Sequence, residues 1–260
     1  MCLILFAFRA QAAYPLVIAA NRDEAYARPA APAAFWRDHP DIYGGRDLEM
    51  GGTWLALTTG GRFAAVTNFR DGYPKGVAPR SRGDISSTFL TGDESAPSYL
   101  ESVAARGADY AGFCTLAGDL DALWFLSNRG HGDHGAMRVE PGVHGLSNHL
   151  LDTPWPKVAQ GRQELEAHLN GDASTLAERL YAMLADRTAA PPAALPDTGM
   201  GALREKQLAP KFIAVDDRYG TRASTVVIVD RAGGVTYSER SFGARGKFLG
   251  EITRRFRVSV

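Results

Sequence analysis

Two unbroken apolar runs open the chain, residues 3–8 and 15–20, and a short polar stretch beginning at Arg9 separates them. Continuous apolar runs of this length read as strands buried on both faces. The polar break between them predicts a hairpin. A second pair of runs, 53–58 and 63–68, flanks Thr59-Gly60-Gly61, a sequence suited to joining antiparallel strands. Residues 112–117 and 123–128 predict a further hairpin around Asp119, and residues 143–148 another strand. The period then changes. Val158, Leu165 and Leu169, with charges between them, predict a helix over 156–169. Leu176, Leu180, Tyr181 and Leu184 predict a second over 174–185, and residues 98–106 form a shorter helical candidate. Residues 188–196 read as a proline-rich loop. The pattern returns to strand at 211–215, 224–230 and 235–241, the last two joined through Gly233-Gly234.

Many antiparallel strands with helices gathered mainly in the middle predict an α+β sandwich of two sheets covered by helices, as a single domain over 1–260. A dinucleotide-binding arrangement is excluded, because strands and helices do not alternate and no glycine-rich loop follows the first strand. Apolar residues make up 45% of the 260, enough for a sizeable core. The net charge is zero, with 29 basic and 29 acidic residues, so no charge excess or basic–aromatic stripe points to a nucleic acid. No stretch approaches the roughly 18 apolar residues of a membrane helix. Arg9 interrupts the opening run and Asn21-Arg22-Asp23-Glu24 follows it, which argues against a secretory leader. The two cysteines, Cys2 and Cys114, make no disulfide framework. The expected location is cytoplasmic, with both thiols reduced.

The candidate chemistry begins at Cys2. Removal of Met1 creates a thiol beside a free α-amine, so one residue supplies nucleophile and base. The amine has a reference pKa of about 7.7–8.0 and the thiol about 8.5, so proton exchange between them is easy near neutral pH. The polar run Asn21-Arg22-Asp23-Glu24 stands where the second strand emerges. In the proposed hairpin Arg22 reaches the region of Cys2, where a cation favours thiolate and can hold a substrate carboxylate or carbonyl. Asp23 is placed to fix Arg22 or to accept from the ammonium. The competing reading makes Cys2 a small hydrophobe opening a buried strand, and residues 21–24 a solvated turn.

Met1-Cys2, Asn21-Arg22-Asp23-Glu24, Gly51-Gly52-Thr53-Trp54, Thr67-Asn68-Phe69-Arg70, Ser81-Arg82-Gly83 and Gly145-Leu146-Ser147-Asn148 stand in this order along the chain. Together they resemble the NRDE family, the transport and Golgi organisation 2 homologues. That family in turn resembles the N-terminal nucleophile hydrolases of the choloylglycine hydrolase and penicillin V acylase kind. The resemblance implies a four-layer αββα sandwich and cleavage of a non-peptide amide. It implies Cys2 as nucleophile, Arg22 as the arginine beside it, Asn148 as an oxyanion donor and Arg222 as a late arginine of the site. In those hydrolases the aspartate lies a few residues beyond the arginine, whereas here Asp23 follows Arg22 directly.

Asn68 ends another strand and is expected to line the same pocket. Arg70 and Arg82, with Arg80, are candidates for contacting an anionic substrate group. Water or an amine would resolve the thioester, giving a hydrolase or an acyltransferase with no required cofactor. The resemblance also implies a non-catalytic alternative, in which the same pocket binds haem reversibly, or a lipid or acyl-coenzyme A, with Cys2 or His149 near the iron. No metal is expected: His131, His134, His144 and His149 lack the spacing of a zinc site. The expected partner is a small acyl substrate or haem.

Overall fold

The computed structural model describes residues 2–72, 76–130 and 135–259. Its strands are β1 (Cys2–Gln11), β2 (Tyr14–Ala25), β3 (Ala30–Phe35), β4 (Ile42–Asp47), β5 (Leu55–Thr58), β6 (Phe63–Asn68), β7 (Phe113–Gly118), β8 (Leu123–Ser127), β9 (Met137–Val139), β10 (Gly142–Leu146), β11 (Tyr219–Val229), β12 (Gly234–Gly243) and β13 (Lys247–Arg257). Its helices are α1 (Gly83–Thr91), α2 (Ala96–Ala105), α3 (Pro156–Leu169), α4 (Leu176–Leu184) and α5 (Ala202–Leu208). The strands form two antiparallel sheets, one ordered β10-β1-β2-β11-β12-β13 and the other β3-β4-β5-β6-β7-β8-β9.

Strand alternation explains the unbroken apolar runs. The pairs Ile4–Ala20, Phe6–Ile18 and Phe8–Leu16 lie opposite one another in β1 and β2. These even-numbered side chains pack against Leu55, Leu57, Phe63, Leu116 and Phe125 of the other sheet. The odd-numbered Leu3, Leu5, Ala7, Val17 and Ala19 face Val158, Leu165, Leu180 and Leu184 of α3 and α4. Both faces are buried there, so no polar position interrupts residues 3–8 of β1 or 15–20 of β2. The second sheet is covered in the same way: Ile85, Phe89, Leu100 and Val103 of α1 and α2 pack on Ala56, Ala64, Val66 and Phe113. The layers therefore run helix, sheet, sheet, helix, the four-layer αββα sandwich expected. No helix among the described residues is long and apolar enough to cross a membrane.

The structure differs from these expectations in three places. Residues 211–215 form no strand. Lys211 gives its carbonyl to Asn21 Nδ2, Phe212 N–H donates to the Asp186 carbonyl and Ile213 N–H to Thr221 Oγ1, so side chains and single contacts use the groups a ladder would. A helix not expected, α1, forms over residues 83–91 from a Ser/Thr-rich segment whose Ile85, Phe89 and Leu90 find an apolar sheet to cover. Residues 21–24 are not a turn: β2 continues through them to Ala25, because β11 pairs with it from Leu16 to Ala25.

Candidate active site

Cys2 and Arg22 are directly opposed in the β1–β2 register, so their side chains share the face that looks toward the other sheet. Both line a cavity of about 580 Å³ at the ends of the two sheets. The next residue along an extended strand points to the opposite face. Asp23 accordingly turns away from Arg22, and its Oδ1 accepts from Thr221 Oγ1 at 2.6 Å. Strand alternation thus separates Asp23 from Arg22, while Asp23 still lines the cavity with Cys2.

Asn148 joins the two sheets behind Cys2; it is fully buried and is not among the residues that line the cavity. Its backbone is left-handed, φ 59°, a conformation that asparagine tolerates better than most side chains. Its Oδ1 accepts the Cys2 N–H at 3.3 Å and its Nδ2 donates to the Asn68 carbonyl at 3.1 Å. The Asn148 carbonyl accepts from the Arg70 N–H at 2.7 Å, and Ser147 Oγ donates to the Cys2 carbonyl at 3.1 Å. The side chain of Asn148 thus serves as a clamp on the Cys2 nitrogen, with one Nδ2 hydrogen committed to Asn68. Asn68 lines the cavity.

Burial pushes the Cys2 thiol above its ordinary range and the Asp23 charge adds to this; Arg22 and the Asp23 N–H act in the opposite sense. The net direction is upward, so the thiol needs a base to ionise near neutral pH. Cys114 is different. It sits in the core between the sheets, donates to the His149 carbonyl at 3.1 Å, and is pushed up to about 12 by burial.

Arg82 and Arg222 reach the cavity by two local devices. At the first, the backbone of Gly52 lies against that of Gly83: a Cβ on Gly52 would stand 2.5 Å from the Gly83 carbonyl carbon. Thr53 N–H donates to the Gly83 carbonyl at 3.3 Å. This close approach brings the start of α1, and Arg82 before it, to the cavity wall. Gly52→Ala is expected to lower stability by about 1–3 kcal/mol through overpacking, read as a reduced urea midpoint. At the second, Thr221 pairs with Asp23 and Ala223 with Arg22, which leaves Arg222 as the extra residue of a β-bulge. Bulges re-aim side chains. Arg222 lines the cavity and donates to the Ala25 and Arg28 carbonyls.

Among the described residues, no carboxylate lies within 4 Å of Arg22, Arg80, Arg82 or Arg222, all of which line the cavity. Arg28 and Arg46 also line it but are paired, with Asp47 at 2.7 Å and with Asp38. The lining also holds Asp23, Glu24, Asp47, Glu49 and Glu239, so six arginines face five carboxylates and the formal excess is a single positive charge. Sequence reasoning missed Glu239. Its Oε1 accepts the Ala33 N–H at 2.9 Å and its Oε2 accepts from Thr225 Oγ1 at 3.3 Å, and burial pushes its carboxyl up. The available signal was a carboxylate at the third inward position after Val235 and Tyr237.

Two expected substrate contacts lie elsewhere. Arg70 is buried behind the cavity, ion-paired with Glu205 at 3.1 Å and stacked 4.3 Å from the Trp155 ring centre. The His149 ring packs against Phe69 and Trp155, and its Nδ1 bonds Thr153 Oγ1 at 2.9 Å. The left-handed turn at Asn148 sends residue 149 away from the cavity. His144 is bound to Asp152 and the Glu140 carbonyl, and His131 and His134 lie outside the described residues. Among the described residues no group of three or more His, Cys, Asp or Glu side chains could hold a metal ion.

A family model described as "Transport and Golgi organisation 2" matches residues 1–244. The chain is 40% identical over 263 residues to a Transport and Golgi organization protein 2 homolog of Bos taurus, with 93% of each chain covered. It is 38% identical over 259 residues to the Homo sapiens homolog, again with 93% of each covered. It is 31% identical over 258 residues to Transport and Golgi organization protein 2 of Drosophila melanogaster, with 88% of each covered. Among solved structures, the C2A mutant of conjugated bile acid hydrolase from Clostridium perfringens superimposes with a TM-score of 0.40 at 9% identity, over 100% of this chain and 97% of that one.

Proposed function

We propose that this chain, which belongs to the Transport and Golgi organisation 2 family, is an N-terminal cysteine acyl-transfer enzyme acting on a small amide or thioester that carries an anionic group. One observation carries the reading: the Cys2 nitrogen is clamped by Asn148 Oδ1 while its side chain stands opposite Arg22 at a cavity floor. When Met1 is removed, that nitrogen becomes the α-amine, already held beside its own thiol. A thiol raised by burial gains most from an adjacent base.

The amine takes the thiol proton and the thiolate sulfur attacks the acyl carbonyl. The tetrahedral oxyanion draws on N–H donors beside Cys2; Asn148, buried directly behind it, has one Nδ2 hydrogen not given to Asn68. Collapse breaks the bond to the leaving group, which departs with the proton from the α-ammonium and leaves a thioester on Cys2. Water or an acceptor amine, deprotonated by the α-amine, then releases the acyl group. The arginines without carboxylate partners, Arg22, Arg80, Arg82 and Arg222, suit a carboxylate or phosphate on the substrate.

The test is intact-protein mass spectrometry of the Met1-free protein incubated with amides and thioesters bearing carboxylate or phosphate groups. An acyl adduct mapped to Cys2 is expected. No adduct and no product across the panel sinks the reading. In that case the cavity is a reversible binding site, and titration with haem or acyl-coenzyme A becomes the measurement of interest.

A further inference from the structure

The loop between β10 and α3, which carries Asn148, is closed at its base by a second set of contacts. It turns through two left-handed residues that are not glycine, Asn148 at φ 59° and Asp152 at φ 58°. Such residues persist where their surroundings hold them. Asn148 is held by Cys2, Asn68 and Arg70. Asp152 is held by Gly145. Its N–H donates to the Gly145 carbonyl at 2.8 Å, and its Oδ1 accepts the Gly145 N–H at 2.8 Å. Residues 145 and 152 thus close a ring, and Ser147 and Asn148 lie inside it.

The other carboxylate oxygen, Asp152 Oδ2, meets His144 Nδ1 at 2.7 Å. His144 belongs to β10, is largely buried, and packs 5.3 Å from the Phe6 ring centre. Its Nε2 lies 2.9 Å from the Glu140 carbonyl. A carbonyl oxygen only accepts, so Nε2 carries a hydrogen. Asp152 also accepts from Gly145 and stands 3.4 Å from Arg162 Nη1 of α3, and these donors favour its ionised form. A carboxylate only accepts, so Nδ1 carries a hydrogen too. The geometry therefore suits the imidazolium. A neutral ring gives up one contact, because whichever nitrogen loses its hydrogen turns a lone pair toward an oxygen.

We infer that His144 is a positioning residue for residue 2: as the imidazolium it staples Asp152 across the base of the ring, and loss of its proton slackens the hold of Ser147 and Asn148 on Cys2. The inference rests on Cys2 being the reacting residue. The connection is continuous. Asp152 bonds Gly145, Leu146 pairs with Ile4, Ser147 Oγ donates to the Cys2 carbonyl and Asn148 Oδ1 accepts the Cys2 N–H. Titration runs in the same direction. Burial pulls His144 down, but the bonds to Asp152 and the Glu140 carbonyl outweigh both burial and the nearby Arg162 charge and hold the ring above its ordinary 6.5. Burial pushes Asp152 up, but the bonds from His144 and Gly145 bring it below its ordinary 3.8. A group raised on folding contributes stability that is complete below its unfolded value and lost as pH rises through the folded one. The staple is therefore firm between 3.8 and 6.5 and slackens at higher pH. An α-amine becomes a free base near 7.7–8.0, so the clamp loosens toward the range in which the base of the reaction is released.

Amide exchange in protein that retains Met1, where the Cys2 nitrogen is still an amide, reads the clamp without any substrate. After correction for intrinsic base catalysis, protection of the Cys2 and Asp152 amides is expected to fall about tenfold from pH 6 to pH 8, the scale of one lost charge-assisted hydrogen bond. Val227, central in β11 between β2 and β12, is expected to keep its protection. His144→Phe, which retains a ring against Phe6, is expected to show the lower protection at both pH values. Long-range ¹H–¹⁵N correlation is expected to find both His144 nitrogens protonated at pH 6. A neutral ring at pH 6, a change at Cys2 of less than about twofold, or an equal loss at Val227 overturns the inference. The wild-type pH series decides the matter alone if His144→Phe does not fold. In Met1-free protein, turnover is expected to fall as His144 loses its proton, and that limb to vanish in His144→Phe. Exchange that responds in this way in a protein forming no acyl adduct refutes the acyl-transfer reading alone, whereas turnover with unmoved Cys2 protection refutes the role of His144 alone.

Discussion

Glu205→Ala is expected to lower the unfolding free energy by about 3–5 kcal/mol, because it leaves the Arg70 guanidinium buried without a counter-charge. The two side chains are 2% and 3% exposed and 3.1 Å apart. Glu205 also accepts from the Thr198 N–H at 3.0 Å and from the Thr198 hydroxyl, so its loss strands donors in the loop before α5. Arg70 keeps its stacking on Trp155, which at about 2 kcal/mol for a desolvated pair does not offset the uncompensated charge. The double variant Arg70→Met/Glu205→Leu separates charge from packing. It is expected to recover most of the loss, since an apolar pair of similar volume avoids both desolvation penalties. Urea denaturation of the two single variants and the double variant measures this. Additive losses would show that the pair is not coupled. The effect extends to the site, because the Arg70 N–H holds the Asn148 carbonyl and Asn148 clamps Cys2.

A second large effect separates the two roles given to residue 2. Cys2→Ala in Met1-free protein is expected to remove turnover by about 10⁶-fold, the scale of a nucleophile deletion in a hydrolase. Protein that retains Met1 keeps the thiol but lacks the amine, and is expected to lose only the share supplied by a general base, about 10²–10⁴-fold. Steady-state rates on whichever substrate labels Cys2 give both numbers. Equal losses would mean that the amine does nothing beyond marking the end of the chain. A full rate in the Met1-retaining form would transfer the base role to another group. Cys2→Ala removes one small side chain at the end of β1, so thermal denaturation should find both forms folded.

Several features could be read from the chain because they are local. The runs at 3–8 and 15–20 are apolar at every position, which only a strand buried on both faces requires, and β1 and β2 form there. The helix at 156–169 begins at a proline and carries its apolar residues at helical spacing, and α3 has those bounds. The pairing of Cys2 with Arg22 follows from the hairpin once its register is set. Other elements gave weak local signals. β13 is an exposed edge strand, so its sequence KFLGEITRRFR shows no buried alternation. β4 contains Gly44-Gly45, which reads as loop, yet a Cβ on Gly44 would stand 2.5 Å from that of Ala56 in the neighbouring strand.

The site divides along the same line. Sequence put forward Cys2 as the candidate nucleophile and determined the strand that carries Arg22 and the motif order that marks the family. Tertiary structure decided which charges reach the cavity and which are sealed behind it. Arg70 belongs to a motif but finds Glu205 far along the chain, and that pairing removes it from solvent and from substrate. Arg222 enters the cavity only because β11 bulges against β2. Lys157, in the first turn of α3, is buried by the packing of that helix, and its Nζ donates to the Leu208 carbonyl of distant α5. The physical reason is one of range. Apolar periodicity reports which face of an element is buried, whereas a charge takes its role from partners that only the packing of distant segments supplies.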